Sequence, residues 1–416
     1  MDNSTSIEFT GRDTVTDPLT DLLRKGARDL LQAAVEAERD AFLAEFAARR
    51  TSDGRAAVVG SGYHPERAVQ TGIGPVTVKV PKVRAKDGKP VTLRSALVPP
   101  YVRKAKCLEA ALPWLYLKGI STGEMGVALK MLLGPEATGF SAKSISRLNS
   151  QWATEYDDWR KADLSRDEWV YVWADGIYSG LRGTDDRLCV LVVIGVNARG
   201  EKHFLAIEDG ARESTQSWRE VLLGLKRRVG FPPRNSGIGD GAMGFWAGLE
   251  EIYPSTRQQR CWVHKTGNVL NYLSKRSQPK AKKMLHDIWQ AETRADAHHA
   301  FDLFIETFEA KYPKATECLI RDRDELLTFY DFPAQHWQSI RTSNPIESAF
   351  ATIRHRTKRT KGCLSREGML HMMFKLGQCA EKRWRKLRGF AHLANVIQGV
   401  DFVNGIKPST QDQAAA

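Results

Sequence analysis

The chain has 416 residues, 42% of them hydrophobic and 27% charged, an ordinary soluble composition with room for about two to four domains. No apolar run approaches the roughly 18 residues that cross a bilayer, and the polar start Met1-Asp-Asn-Ser-Thr-Ser lacks a signal pattern, so the expectation is a cytoplasmic protein with no membrane partner. A net charge of +13 favours a polyanionic partner, of which nucleic acid is the commonest.

Residues 1–50 read as an N-terminal helical segment. Asp17 can cap a helix over 18–48, and Pro18 suits its first position. Leu19, Leu22, Leu23, Ala27, Leu30, Leu31, Ala34, Phe42 and Phe46 recur at helical spacing. That stripe fits a core-facing helix and equally one for dimerisation or DNA docking. Residues 51–105 form a small basic β-rich region. Short alternating runs such as Val76-Thr-Val-Lys-Val-Pro are interleaved with Lys79, Lys82, Arg84, Lys86 and Lys89. The cationic face is either solvated or a DNA backbone contact.

Residues 106–165 return to helix. Ile120-Ser-Thr-Gly-Glu-Met-Gly-Val-Ala-Leu is followed by Gly139-Phe-Ser-Ala-Lys-Ser-Ile-Ser-Arg-Leu148. Two short helices in that order suggest a helix-turn-helix, with Lys143 and Arg147 facing DNA. An ordinary packed helix pair is the alternative.

Residues 166–265 switch to strands: Trp169–Ala174, then the buried-type run Leu188–Val196, then Glu201–Ile207. A helix marked by Trp218, Val221, Leu222, Leu225 and Val229 comes next. Short strands at 236–240 and 256–263 flank a second helix. This is mixed α/β, and three meandering strands followed by βα units is the order of a ribonuclease H-like core. Residues 266–335 read as an all-α insertion. Residues 336–407 complete the core with a basic helix and C-terminal helices, and 408–416 read as a disordered tail. The expected fold is thus an α/β core with a ribonuclease H-like mixed sheet, interrupted by an all-α insertion and preceded by an α+β DNA-binding region.

Three carboxylates stand out. Asp175 ends the first core strand, Asp240 ends a later one, and Glu347 opens the basic helix. In such a sheet those strand ends are neighbours, and a glutamate on the packing helix can converge on them. Three hard oxygen ligands suit Mg²⁺ or Mn²⁺, and two such ions can drive phosphodiester chemistry. Each acid also has a plainer reading. Asp-Gly occurs at 53, 87, 175, 209 and 240, so one pair alone is turn chemistry. Asn344, Pro345 and Glu347 fit N-cap, N1 and N3 of a capping box. Against this, Glu347, Arg354, Lys358 and Lys361 fall within roughly 40° of one line on a helix. Arg356 and Arg359 lie in the same run, and a cationic stripe shared with a carboxylate points at a phosphate chain.

Long combined motifs carry a resemblance. They are Trp173-Ala-Asp-Gly-Ile-Tyr178, Gly239-Asp-Gly-Ala-Met-Gly-Phe-Trp-Ala247, Arg257-Gln-Gln-Arg-Cys-Trp-Val-His-Lys-Thr266 and Ile340-Arg-Thr-Ser-Asn-Pro-Ile-Glu-Ser-Ala-Phe350. Over about residues 14–400 the chain resembles the mutator-type transposases of bacterial insertion sequences. The resemblance implies that Asp175, Asp240 and Glu347 form a metal-binding Asp-Asp-Glu triad with two ions. It further implies cleavage and strand transfer on DNA with terminal inverted repeats, a target DNA, and nucleoid association when bound. Pairing two ends implies a homodimer or larger assembly. The alternative function is a DNA-binding regulator that no longer cuts.

Cys261 and His264 match the family's Cys-x-x-His signature. Two ligands are not a zinc site, and support of the active-site wall is the preferred reading. Trp289, in the insertion, is a candidate for base stacking or a core residue. Lys382 and Arg383 are candidates for backbone contact or a solvated charge run. The six cysteines show no framework spacing and read as reduced thiols.

Overall fold

The computed structural model describes residues 18–120, 122–134, 142–180, 187–210, 212–229, 236–241, 243–347, 350 and 365–408. The chain divides into two compact units, Met1–Leu148 and Asn149–Ala416. Among the described residues no helix is long and apolar enough to cross a membrane.

In the first unit, helix α1 (Pro18–Glu45) precedes four short strands. Strand β1 (Val58–Tyr63) pairs antiparallel with β4 (Pro81–Ala85), and β2 (Arg67–Thr71) with β3 (Gly74–Val78). Val35 of α1 packs with Val69, Val78, Val80 and Val98. The leucine stripe is only partly used. Leu19, Leu22, Leu23 and Leu30 are exposed, so most of the expected core face of α1 lies outside this cluster. Helices α2 (Lys106–Leu117) and α3 (Thr122–Leu133) share a cluster of Leu108, Leu112, Met125 and Leu129. The next helix, α4 (Ala142–Lys161), is not short. It runs for 20 residues, well past Leu148.

The second unit holds a five-stranded mixed sheet in the order β7-β6-β5-β8-β9. Strands β5 (Trp169–Gly180), β6 (Arg187–Asn197) and β7 (Lys202–Gly210) form an antiparallel meander. Strand β8 (Ser236–Gly239) runs parallel to β5, and β9 (Arg257–Arg260) parallel to β8. Helices α5 (Thr215–Val229) and α6 (Met243–Ile252) cover one face. Trp218, Val221, Leu222, Leu225, Phe245 and Leu249 pack there against Val172, Ala174, Leu191 and Val193. Trp169 joins the same cluster because the register shifts between Trp169 and Tyr171, which resets the alternation.

The opposite face carries Tyr171 and Trp173. Tyr171 meets Phe332 and His336, and the Trp173 indole N–H donates to the Ser339 carbonyl at 3.2 Å. Helix Arg366–Glu381 lies on β7, where Gly377 admits the Phe204 ring. Both faces are therefore covered, which is why β6 reads as an unbroken apolar run rather than an alternation.

From β9 the chain enters helices α7 (Trp262–Asn271), α8 (Gln278–Gln290), α9 (Arg294–Phe308) and α10 (Pro313–Ile320). Leu285, Ile288, Phe301, Phe304 and Leu319 are fully buried among them. Thr293 caps α9 by accepting the Asp296 N–H. Asp322 ties this segment back to the sheet by accepting from Arg260 at 3.1 Å and pairing with Lys265.

His336 closes the Tyr171 face. Its Nε2 lies 2.9 Å from the Gly389 carbonyl, which can only accept, so Nε2 carries the hydrogen. Nδ1 then accepts from the Tyr171 hydroxyl at 2.9 Å. Burial, aided by nearby His392 and opposed by the Gly389 bond, holds its pKa down from 6.5 to about 4. A depressed histidine pKa means the unfolded chain binds the extra proton between these values. The associated stability is full above pH 6.5 and is lost as pH falls toward 4. Denaturant titrations across that window should show a loss on the order of 3 kcal/mol that His336→Gln removes. An identical pH profile in the variant would contradict this assignment.

Candidate active site

Parallel pairing of β5 with β8 builds the site. The partners run from Tyr171 opposite Ser236 to Ala174 opposite Gly239, and pairing stops there. The next residues on the two strands are Asp175 and Asp240. Adjacent strands lie about 4.8 Å apart, so the backbone sets these aspartates side by side. Gly239 allows the close approach, since a Cβ there would lie 3.0 Å from the Phe245 ring and 3.1 Å from that of Trp246. The Asp240 carbonyl accepts from the Trp246 indole at 2.8 Å and from Arg260 at 2.6 Å, which fixes the exit from β8.

Asp175 does not end its strand. β5 continues to Gly180, paired with β6 throughout, and what ends at Ala174 is only the β8 pairing. Because Ala174 faces α5 and α6, Asp175 faces the opposite side, with Trp173. It is 7% exposed, and among the described residues no Lys or Arg forms an ion pair with it. Burial raises its pKa to about 6, reinforced by the charges of Asp240 and Glu347 and opposed by His264. Those three groups therefore lie within electrostatic reach of Asp175.

Glu347 reaches this face from the turn after Ile340. Helical bonding begins at the Ser343 carbonyl, which accepts from Glu347 N–H at 3.2 Å, so Ser343 rather than Asn344 is the cap. Fully buried Ser343 is also the hub of a polar network. Its N–H and Oγ each lie 3.2 Å from Cys261 Sγ, and Oγ lies 3.2 Å from His264 Nδ1 and 3.3 Å from Glu347 Oε1. His264 Nε2 stands 3.7 Å from the same Glu347 oxygen.

Protonation follows from these contacts. The hydrogen bond with Cys261 raises the His264 pKa against burial, and the charges of Cys261, Asp175 and Asp240 add to it. Burial alone would push the Cys261 thiol up, but hydrogen bonds from His264 and Ser343 together bring it down. A protonated imidazole donates from both nitrogens: Nδ1 to Ser343 Oγ, and Nε2 toward Glu347. Ser343, which composition and periodicity did not single out, connects the Cys-x-x-His pair to the glutamate. Its signal is the four-residue spacing to Glu347 at a helix start.

The donor set fits a hard divalent ion: Asp175, Asp240 and Glu347 offer only oxygen, and among the described residues no Lys or Arg forms an ion pair with buried Asp175. Among the described residues, no group of three or more His, Cys, Asp or Glu is placed to hold one ion. Mg²⁺ ordinarily needs only one or two carboxylates beside water and phosphate oxygens, so the fit is one of shared rather than caged ligation. Cys261 and His264 are engaged with each other and with Ser343.

Arg354, Arg356, Lys358, Arg359 and Lys361 lie outside the described residues. Lys143 belongs to α4, and Arg147, on the same helix, is exposed. Lys382 and Arg383 are exposed just past helix Arg366–Glu381. Trp289 is half-buried on α8, with the Arg341 guanidinium 4.4 Å from its ring centroid and His286 at its side. One face of that ring is thus already occupied by Arg341.

Comparisons with known proteins agree over most of the chain. The model of a family described as "Transposase, Mutator family" matches residues 3–386. A transposase for insertion sequence element IST2 of Acidithiobacillus ferrooxidans is 48% identical over 296 residues, 70% of this chain and 100% of that relative. A transposase for insertion sequence element IS6120 of Mycolicibacterium smegmatis is 45% identical over 298 residues, covering 72% and 92%. A transposase for ISRM5 of Rhizobium meliloti is 25% identical over 378 residues, covering 90% and 91%.

Cys261→Ala should lower the His264 pKa toward 6.5, because it removes the hydrogen bond that does most to raise it. It should also cost about 1–3 kcal/mol by leaving the buried Ser343 N–H unmet, since the hydroxyl keeps Glu347 Oε1 as an acceptor. NMR titration of the His264 ring measures the first effect, and an unmoved pKa would break the thiol–imidazole link.

Proposed function

The chain belongs to the Mutator family of transposases, and from that premise we propose that it binds the terminal inverted repeats of an insertion sequence and catalyses metal-dependent DNA cleavage and strand transfer. Asp175, Asp240 and Glu347 are the proposed catalytic carboxylates. The observation that carries this reading is the end of the β5–β8 pairing at Ala174 and Gly239, which leaves two aspartates abreast within electrostatic reach of Glu347. The sheet order, an antiparallel meander followed by two parallel strands, supports a ribonuclease H-like core.

Asp175, Asp240 and Glu347 would hold Mg²⁺ or Mn²⁺, which when bound supplies activation of the attacking oxygen and stabilisation of the leaving one. In cleavage, water adds to phosphorus as the bond to the 3′ oxygen breaks, leaving a 3′-hydroxyl. In transfer, that hydroxyl attacks a phosphorus of the target strand, one P–O bond forms and one breaks. His264 holds Glu347 in place and partly offsets the crowded negative charge. Arg354, Arg356, Lys358, Arg359 and Lys361 would grip the backbone beside the scissile phosphate, with Lys143, Arg147, Lys382 and Arg383 as outer contacts. The first unit would read the ends, and two protomers or more would bring both ends together on bacterial DNA in the cytoplasm.

Asp175→Asn, Asp240→Asn and Glu347→Gln should each lower nicking of end-containing DNA by more than about a hundredfold while leaving gel-shift affinity for the ends nearly unchanged. Normal nicking in all three variants would sink the catalytic assignment. A wild-type protein that binds ends but never cuts with Mg²⁺ or Mn²⁺ would instead make it a regulator. Arg354→Ala and Lys358→Ala should each flatten the salt dependence of binding by about one unit of slope. An unchanged slope would remove the stripe from the DNA path.

A further inference from the structure

Helix α7 passes the acids with one face open. Its buried side carries Trp262, Lys265 and Val269, and the opposite side carries His264, Asn268 and Asn271 at helical spacing. His264 leads this row, with Nε2 3.7 Å from Glu347 Oε1. Asn268 follows one turn later. A Cβ on Gly241 would lie 3.6 Å from Asn268 Nδ2, and Gly241 directly follows Asp240. The two neighbours of Asn268 thus lead to two of the three carboxylates, His264 to Glu347 and Gly241 to Asp240.

The fold makes no use of this side chain. Asn268 is exposed, and among the described residues its carboxamide makes no hydrogen bond. Its surroundings offer donors and no acid. Residues 262–286 contain no Asp or Glu, although the chain has 49. Lys275 and Arg276, in the turn after α7, are exposed and form no ion pair among the described residues. An acid-free surface that begins at an acidic junction matches a polyanion reaching that junction. The residue type is informative too. A lysine or arginine at 268 would pair with the neighbouring carboxylates and compete with a cation held there. A carboxamide donates to a phosphate oxygen and leaves those carboxylates charged.

We propose that Asn268 is a substrate contact of the site, its Nδ2 donating to a backbone phosphate of the strand being cut. This rests on the catalytic reading above and adds a residue that holds the DNA against the acids. Asn268 lies about 6 Å along α7 from His264. One strand of a duplex rises about 3.4 Å per nucleotide, so the phosphate falls within about two nucleotides of the scissile one.

A phosphate scan of end-containing DNA with the full chain tests this. Uncharged methylphosphonates replace the phosphates around the cut one at a time, and single-turnover nicking with Mn²⁺ is measured. One replacement should slow wild type by about tenfold or more, and Asn268→Ala should slow nicking of unmodified DNA as much. Combined, the two should cost no more than either alone, because both remove the same contact. Asn268→Asp, equal in size but without the donor, should lose at least as much as Asn268→Ala. Thermal melting should be unchanged in both variants, as expected for an exposed side chain outside the hydrogen-bond network. If Asn268→Ala nicks like wild type while Asp175→Asn does not, or if the losses multiply at every phosphate, the Asn268 contact falls and the catalytic carboxylates stand. If wild type binds ends but never nicks, the catalytic reading falls. The same cycle read on gel-shift affinity then decides Asn268: one non-additive phosphate keeps the contact, and losses that multiply at every phosphate reject it.

Discussion

Everything at the site depends on one short parallel pairing. Four residues of β8 align with β5 and then leave it, and the two strands hand over an aspartate each at the point of parting. The pairing is brief because β8 is Ser-Gly-Ile-Gly, with glycines pressed against Leu249, Phe245 and Trp246. Larger residues would push α6 off the sheet, and Asp240 with it. Packing on one face of the sheet therefore sets the chemistry at its edge.

Charge is the second constraint. Several acids share a small, partly buried volume, and a folded chain tolerates that only with compensation. Among the described residues the fold supplies an imidazolium, made cationic by a buried thiol and steered by Ser343. Arginine and lysine are used elsewhere. Arg260 and Lys265 hold Asp322, and Arg228 donates to the carbonyls of Trp159, Ala162 and Leu205. These cations fasten the scaffold around the acids instead of pairing with Asp175.

Much of this was legible in the sequence, for physical reasons that differ by element. β6 announced itself because both its faces are covered, and α5 because its five buried residues keep helical spacing. β5 was underestimated. Asp175-Gly176 looks like a turn, yet eleven partners along β6 override that local preference. β9 was overestimated, since Cys261-Trp-Val continues an apolar run although the chain has already turned into α7. The stripe on α1 was visible, but periodicity cannot say how much of a stripe is buried. Ser343 was legible only as the residue four before Glu347 at a helix start, because its role comes from Cys261, 82 residues away.

The long helical excursion from α7 to α10 has a consequence for the order in which the protein comes into being. A chain made from its N-terminus has Asp175 and Asp240 in hand well before Glu347, and the helices between them rest on near-sequence contacts that form early. The glutamate can dock only after that segment has folded and returned to the sheet. His336, just ahead of it, must wait still longer for the Gly389 carbonyl. A prematurely ended product thus retains the first unit and both aspartates but lacks the Ser343–Glu347 turn. Completion of synthesis is therefore the step that assembles the site.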